Sequence, residues 1–70
     1  MVTHTYSYTT EEQLGYALAA CRDHAALEPN RESSLAITNL EQACLWWDAH
    51  RSAVGLDSLG LEWYRKGGSR

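Results

Sequence analysis

The sequence predicts an all-α fold, a single helical-hairpin domain of 70 residues. Two long stretches carry apolar residues at steps of three and four, which places these residues on one face of a helix. Pro29 and Asn30 mark a short turn between the stretches, so the two helices are expected to be antiparallel neighbours. We therefore predict an arm over residues 1–9, helices over 10–28 and 30–52, and a tail over 53–70.

The first helix is predicted to begin at a capping box. Thr9 and Glu12 have the required spacing, at which each side chain satisfies a backbone N–H of the other residue. Gly15 costs about 1 kcal/mol of helix stability relative to alanine, so we expect another helix to approach closely there. The apolar face of this helix is formed by Leu14, Ala17, Leu18, Cys21 and Ala25.

The second helix has the clearest start signal. Asn30 is a favoured N-cap after the helix-breaking Pro29, and Glu32 complements the helix dipole in the first turn. The main apolar face is predicted to contain Ala36, Ile37, Leu40, Ala43, Cys44 and Trp47. A second, weaker face contains Leu35, Leu45, Trp46 and Ala49. Because adjacent helix residues point about 100° apart, Trp46 and Trp47 face different neighbours, and the helix needs two packing partners.

The segment after the second helix gives weaker signals. Gly55 has the residue type that commonly follows a helix end in the left-handed conformation. Residues 61–66, LEWYRK, are ambiguous between a short strand and a tail that packs through Trp63. Residues 67–70 are expected to be disordered.

Composition indicates self-association. The chain is 44% hydrophobic, more than a two-helix hairpin of this length can bury by itself. Contact between copies of the chain is the simplest way to cover the excess, so we expect a homo-oligomer.

The charge balance disfavours DNA binding. The net charge is −3 with only six Lys and Arg, whereas nonspecific binding to duplex DNA requires several phosphates to be neutralised together. A helix-turn-helix regulator is also disfavoured, because the second helix is acidic rather than basic. A small ligand with two or three phosphates requires only a few converging arginines.

The two cysteines are predicted to be free thiols. In the predicted hairpin, Cys21 and Cys44 are offset by about 9 Å along the axis, which exceeds the reach of a disulfide. We expect buried thiols in a reducing cytoplasm, consistent with an N-terminus that lacks a signal pattern. A mixed zinc site using His24 lacks the close cysteine pairs of structural sites, so no metal or cofactor is expected.

The residues favour binding over catalysis. No phosphate loop or nucleophile-base arrangement is recognisable, so we do not predict an enzyme. Arg31 lies at a predicted helix N-terminus, where backbone N–H groups and the dipole favour an anion, and Ser33 adds a hydroxyl beside it. The alternative for each arginine is a solvated surface residue.

The run NRESSLAITNLEQA from Asn30 to Ala43, with the tryptophans that follow, resembles the second helix of a known family. It is the hairpin-domain family of small phage anti-defence proteins, which act as sponges for cyclic-nucleotide signals. The shared pattern is an Arg-Glu pair after a proline turn, Ser-Leu-Ala, a Thr-Lys-Leu-Glu run, and then Ala and Trp. Asn39 stands at the lysine position here, a departure that removes a potential phosphate contact.

The resemblance implies a homo-oligomer, with a hexamer expected, in the host cell cytoplasm. It would bind cyclic dinucleotides or trinucleotides of CBASS, or cyclic ADP-ribose isomers of Thoeris, and sequester them without cleavage. The matching motif carries over Arg31 as a ligand contact. By position and residue type, we also expect Tyr8, Tyr16, Arg22 and Thr38 to contact the ligand.

Two alternatives remain open at this point. Tyr8 belongs to a terminal arm, which is ordinarily mobile. The chain as a whole is alternatively a small helical protein–protein interaction module, which docks on a host protein through an exposed tryptophan face.

Overall fold

The computed structural model describes residues 9–68 as three helices, α1 (Thr10–Leu27), α2 (Arg31–Ala53) and α3 (Leu61–Arg65). The two long helices pack as an antiparallel hairpin, and α3 folds back mainly onto α1. No strand occurs within residues 9–68. The all-helical class is confirmed, but the expected hairpin followed by a tail is incomplete, because residues 61–65 form a third helix.

The start of α1 is held by the predicted capping box. The Glu12 N–H donates to the Thr9 hydroxyl at 3.2 Å, and the Thr9 N–H donates to the Glu12 carboxylate at 3.0 Å. The helix ends at Leu27, one residue before the predicted end. Pro29 explains this difference, because the residue before a proline is pushed out of the helical region. Glu28 accordingly has φ −140° and ψ 74°.

Both ends of α2 follow the local signals. Asn30 caps its start, since the Asn30 side chain accepts a hydrogen bond from the Ser33 N–H at 2.7 Å. At the other end Gly55 has φ +88°, its N–H donates to the Ser52 carbonyl, and the next N–H donates to the Arg51 carbonyl. This pair of bonds is a Schellman motif, which satisfies carbonyls that the helix leaves free.

The core lies at the open end of the hairpin, where α3 covers both long helices. Leu18, Cys44 and Tyr64 are completely buried. The residues packed around them are Leu14, Ile37, Leu40, Leu59, Leu61 and Trp63. No residue from 19 to 43 is buried, so the turn end of the hairpin projects without a packed core of its own.

The core faces of the long helices broadly follow the predicted stripes. Ile37, Leu40, Cys44 and Trp47 turn inward as predicted, but Ala36 and Ala43 are exposed. Both cysteines are free, with Cys44 buried and Cys21 half-buried. Burial raises the pKa of the Cys44 thiol, and the neighbouring Glu41 charge adds to the increase.

Asp48 of α2 anchors the segment that leads into α3. Its carboxylate accepts backbone hydrogen bonds from Leu59 at 2.9 Å and Gly60 at 3.1 Å, and side-chain hydrogen bonds from the Ser58 and Tyr64 hydroxyls. Burial alone would raise the pKa of Asp48, but these four donors outweigh it and hold the pKa below its usual value. α3 has no side-chain cap, and Asp48 instead fixes the two residues that precede it, Leu59 and Gly60.

The end of the described chain lies across α1 at Gly15. A Cβ placed on Gly15 would come within 2.5 Å of the Gly68 nitrogen, so only glycine fits there. Gly68 itself is buried and has φ +71°, a backbone conformation that favours glycine. The predicted close approach at Gly15 therefore exists, but the C-terminal segment makes it rather than a helix. Residues 67 and 68, expected to be disordered, are packed.

Candidate functional site

The ligand residues predicted on α1 lie on different faces of that helix. Tyr16 is 74% exposed. Arg22 is also exposed, but it is six residues further along, which rotates it about 120° away from Tyr16. The pKa of Glu62 in α3 is lowered chiefly by its hydrogen bond from Arg65, and the Arg22 charge adds to the decrease, so Arg22 lies on the α3 side. One small ligand on a single copy cannot contact both side chains.

The ligand residues predicted on α2 separate into an exposed pair and one residue that belongs to the helix cap. Arg31 and Thr38 are both exposed and are seven residues apart, so they share one face of the helix. The Ser33 hydroxyl instead accepts a hydrogen bond from the Asn30 N–H at 3.1 Å and donates one to the Asn30 carbonyl at 3.0 Å. Ser33 is thus occupied by the helix cap. Tyr8, the remaining predicted contact, lies outside the described residues.

Internal ion pairs use part of the positive charge. Arg51 pairs with Glu11 of α1, lies 4.0 Å from the Asp48 carboxylate, and donates to the Asp57 carbonyl at 3.1 Å. The pKa of Glu11 is lowered, chiefly by a backbone hydrogen bond and further by the Arg51 charge. These contacts join the open ends of α1 and α2, and they hold the Arg51 side chain, which is only 14% exposed, against other parts of the chain.

A second internal network holds α3 to the hairpin. Arg65 donates to Glu41 of α2 at 3.0 Å and to Glu62 at 2.8 Å. In contrast, Arg22 and Arg31 form no ion pair within residues 9–68. These two arginines are the cations that remain open to an external anion.

A cleft lies at the turn end of the hairpin, between the end of α1 and the start of α2. It has a volume of about 220 Å³, and its walls include Cys21, His24, Glu28 and Ser33. The cleft takes in only one of the predicted ligand residues, and neither open arginine lines it. Within residues 9–68, no group of three or more His, Cys, Asp or Glu side chains is placed to hold a metal ion.

The most unusual surface is a face of α2 that the sequence predicts only as a second, weaker apolar face. We call it the outer face of α2 and define it as Leu35, Thr38, Gln42, Leu45, Trp46 and Ala49, all of which are exposed. Trp46 is 74% exposed, Leu35 46% and Leu45 43%. A helix face on which several large apolar side chains are this strongly exposed is the kind of surface that contacts another molecule.

The charged residues of the same helix turn the other way. Between Ser33 and Ser52, the charged side chains of α2 are Glu41, Asp48 and Arg51, and each is bonded to α1, α3 or the segment before α3. The outer face therefore carries no charge over its whole length. The periodicity of the sequence alone could not show that the charged side chains of α2 turn inward, because their partners depend on where α3 lies.

No protein-family model, no curated protein and no solved structure matches the chain. The comparisons therefore identify no family, and the resemblance of residues 30–47 stays a prediction. None of the helices within residues 9–68 is both long enough and apolar enough to cross a membrane.

Proposed function

We propose that the protein is a phage anti-defence sponge, which binds cyclic oligonucleotide immune signals and sequesters them without cleavage. The proposal rests on the resemblance of the α2 sequence and on one structural observation. Arg31 is exposed in the first turn of α2, forms no ion pair within residues 9–68, and lies on the same face as Thr38. A guanidinium in this position offers a phosphate a planar set of donors close to a helix N-terminus.

The ligand in this proposal lies between copies of the chain. Tyr16 and Arg22 lie on different faces of α1, so one small ligand can contact both kinds of side chain only if a second copy contributes one of them. An aromatic side chain from one copy would stack on a base, while an arginine from another would pair with a phosphate. Sequestration then follows from mass action alone, since tight binding by an abundant protein lowers the free signal without turnover.

The test is a thermal-shift panel of cyclic dinucleotides, cyclic trinucleotides and cyclic ADP-ribose isomers, with linear nucleotides as controls. A rise in melting temperature with one cyclic compound, recovered intact after heating, would support the sponge. The Arg31→Ala variant should weaken that binding at least about tenfold without changing the mass of the assembly. Arg31→Lys is the matched control, because it keeps the charge but loses the bidentate geometry, and it should give an intermediate loss.

The second candidate is a protein–protein interaction module that docks on a host protein. The specific observation in its favour is Trp46, which is 74% exposed on a face without charged side chains. Tryptophan is enriched among residues that dominate binding energy at protein interfaces. No stabilisation by any cyclic nucleotide, together with capture of one defined host protein that is lost in Trp46→Ala, would favour this candidate over the sponge.

A further inference from the structure

We propose that the outer face of α2 is the contact surface for a second copy of this chain, whose own α2 lies antiparallel across it about a two-fold axis at Gln42. The assignment deepens the proposed function, because it names the surface through which copies assemble, and it rests on that function only for its biological purpose. The physical argument uses the charge, side-chain chemistry and size of the face.

The absence of charge restricts what can cover this face. A partner with charged side chains would lose their hydration on docking and would find no opposite charge on the outer face. The matching surface must itself be neutral, with a mixture of apolar groups and uncharged amides or hydroxyls. The outer face of a second α2 satisfies this requirement.

Gln42 makes the face complementary to itself. It lies seven residues from both Leu35 and Ala49, so it occupies the middle of the face. An amide side chain has both donor and acceptor groups, so two copies of Gln42 related by a two-fold axis can each donate to the other. A single polar residue within an otherwise apolar helix seam fixes register at some cost in stability.

The antiparallel direction also matches side-chain sizes. With the two-fold axis at Gln42, Leu35 of one copy faces Ala49 of the other, and Thr38 faces Trp46. Each contact thus places a large residue against a small one, which allows close packing.

The size of the face is sufficient for a specific, reversible dimer. Trp46, which is 74% exposed, contributes roughly 180 Å² of accessible surface, and the five other members of the outer face, all exposed, bring its total to on the order of 500 Å² per copy. The pair would bury about 1,000 Å² in total, which is the lower end for specific interfaces. A larger assembly would require additional surfaces beyond this face.

The first test measures molecular mass by sedimentation velocity over a range of protein concentrations. We expect association that increases with concentration, and at least about tenfold weaker association in Trp46→Glu, which places two charges in the neutral seam. Ala20→Glu is the matched control, because Ala20 is exposed on α1 and lies outside the seam. Circular dichroism checks that both variants stay helical. A monomer at every concentration, or equal association of wild type and Trp46→Glu, would overturn the proposed contact.

The second test fixes the register by disulfide trapping in a Cys21→Ser background, where the remaining Cys44 is buried. Gln42→Cys should cross-link to itself under mild oxidation, whereas Ala20→Cys should not. A mixture of Leu35→Cys and Ala49→Cys should give a cross-linked heterodimer, while neither variant cross-links to itself. Trapping at residue 20 as efficient as at residue 42 would contradict the two-fold axis.

These readouts separate the contact from the proposed ligand function. If the protein is a dimer that no cyclic nucleotide stabilises, the proposed contact is supported and the sponge function is contradicted. If the protein is a monomer that a cyclic nucleotide still stabilises, the proposed contact is contradicted and the sponge function is supported.

Discussion

The phenolic hydroxyl of Tyr64 donates a hydrogen bond to the Asp48 carboxylate across 3.3 Å, and both side chains are buried. Burial, reinforced by the Asp48 charge, raises the pKa of Tyr64 well above its usual value, so the phenol keeps its proton. The pKa of Asp48 moves down, so the acceptor stays charged. This pair joins α3 to α2 beside the buried core residues Leu18 and Cys44.

The Asp48→Asn variant should lose much of the attachment of α3. Asparagine keeps the size of the side chain, but it has one neutral acceptor where the carboxylate has two charged oxygens. We expect the free energy of unfolding to fall by about 2–3 kcal/mol, as measured by urea denaturation. Asp57→Asn is the control and should change stability little, because Asp57 is exposed and contributes only its carbonyl to Arg51. Equal losses in the two variants would show that Asp48 is not the anchor.

Acid should weaken the fold through the same carboxylates. Asp48 and Glu11 both have pKa values below their ordinary 3.8 and 4.5 in the folded state. A group with a depressed folded pKa contributes stability that is complete above its unfolded pKa and is lost as pH falls through the folded value. We therefore expect urea midpoints to decrease below about pH 4. Asp48→Asn should show a shallower decrease, and an identical pH profile would argue against this linkage.

Gly15→Ala should lower the stability of the fold, whereas the same substitution within an ordinary helix raises it. Alanine in place of glycine within a helix normally gains about 1 kcal/mol. At Gly15, however, the new Cβ would meet the backbone of Gly68 at 2.5 Å, so the C-terminal segment has to move. We expect a net loss of stability in the full chain. Truncation after Lys66 supplies the control background, since Gly15→Ala should become stabilising once the obstructing segment is absent.

Arg51 and Arg65, which both form ion pairs within the fold, should contribute unequally to its stability. Arg51→Met should cost about 2 kcal/mol, because the Arg51 side chain is only 14% exposed and its loss leaves Glu11 and Asp48 without their cation. Arg65→Met should cost less than Arg51→Met, because the ion pairs of Arg65 are more exposed and solvent screens them more strongly. Denaturant midpoints of the two variants at the same pH test the order. A larger loss in Arg65→Met would reverse the assignment.

Signals from residues close together in the sequence were sufficient to predict the hairpin. The cap at Thr9, the turn at Pro29 and the left-handed Gly55 are all decided by residues close in the chain, so they are readable from the sequence. The third helix was missed because it is five residues long and has no cap among its own side chains. Its position depends on Asp48, which is 10 to 16 residues earlier in the chain.

The candidate site was less predictable than the fold. Residue type pointed to Tyr16, Arg22 and Arg31, but the face on which each side chain lies relative to the others depends on the packing of α3. Ser33 was assigned to a ligand from its hydroxyl, although the helix cap takes up that hydroxyl. The neutral outer face of α2 becomes visible only when the inward ion pairs of Glu41, Asp48 and Arg51 are known.

The orientation of α2 reverses the usual relation between solvent exposure and tolerance of mutation. Substitutions on a protein surface are ordinarily near neutral, and random drift accumulates there. On α2, exposed Leu35 and Trp46 should resist replacement as strongly as core residues in a saturation-mutagenesis screen that selects for assembly. Permitted variation should concentrate on the exposed side of α1, at positions such as Ala20 and Ala26. Sequences that diverge in this chain would therefore preserve one helix and lose similarity along the other.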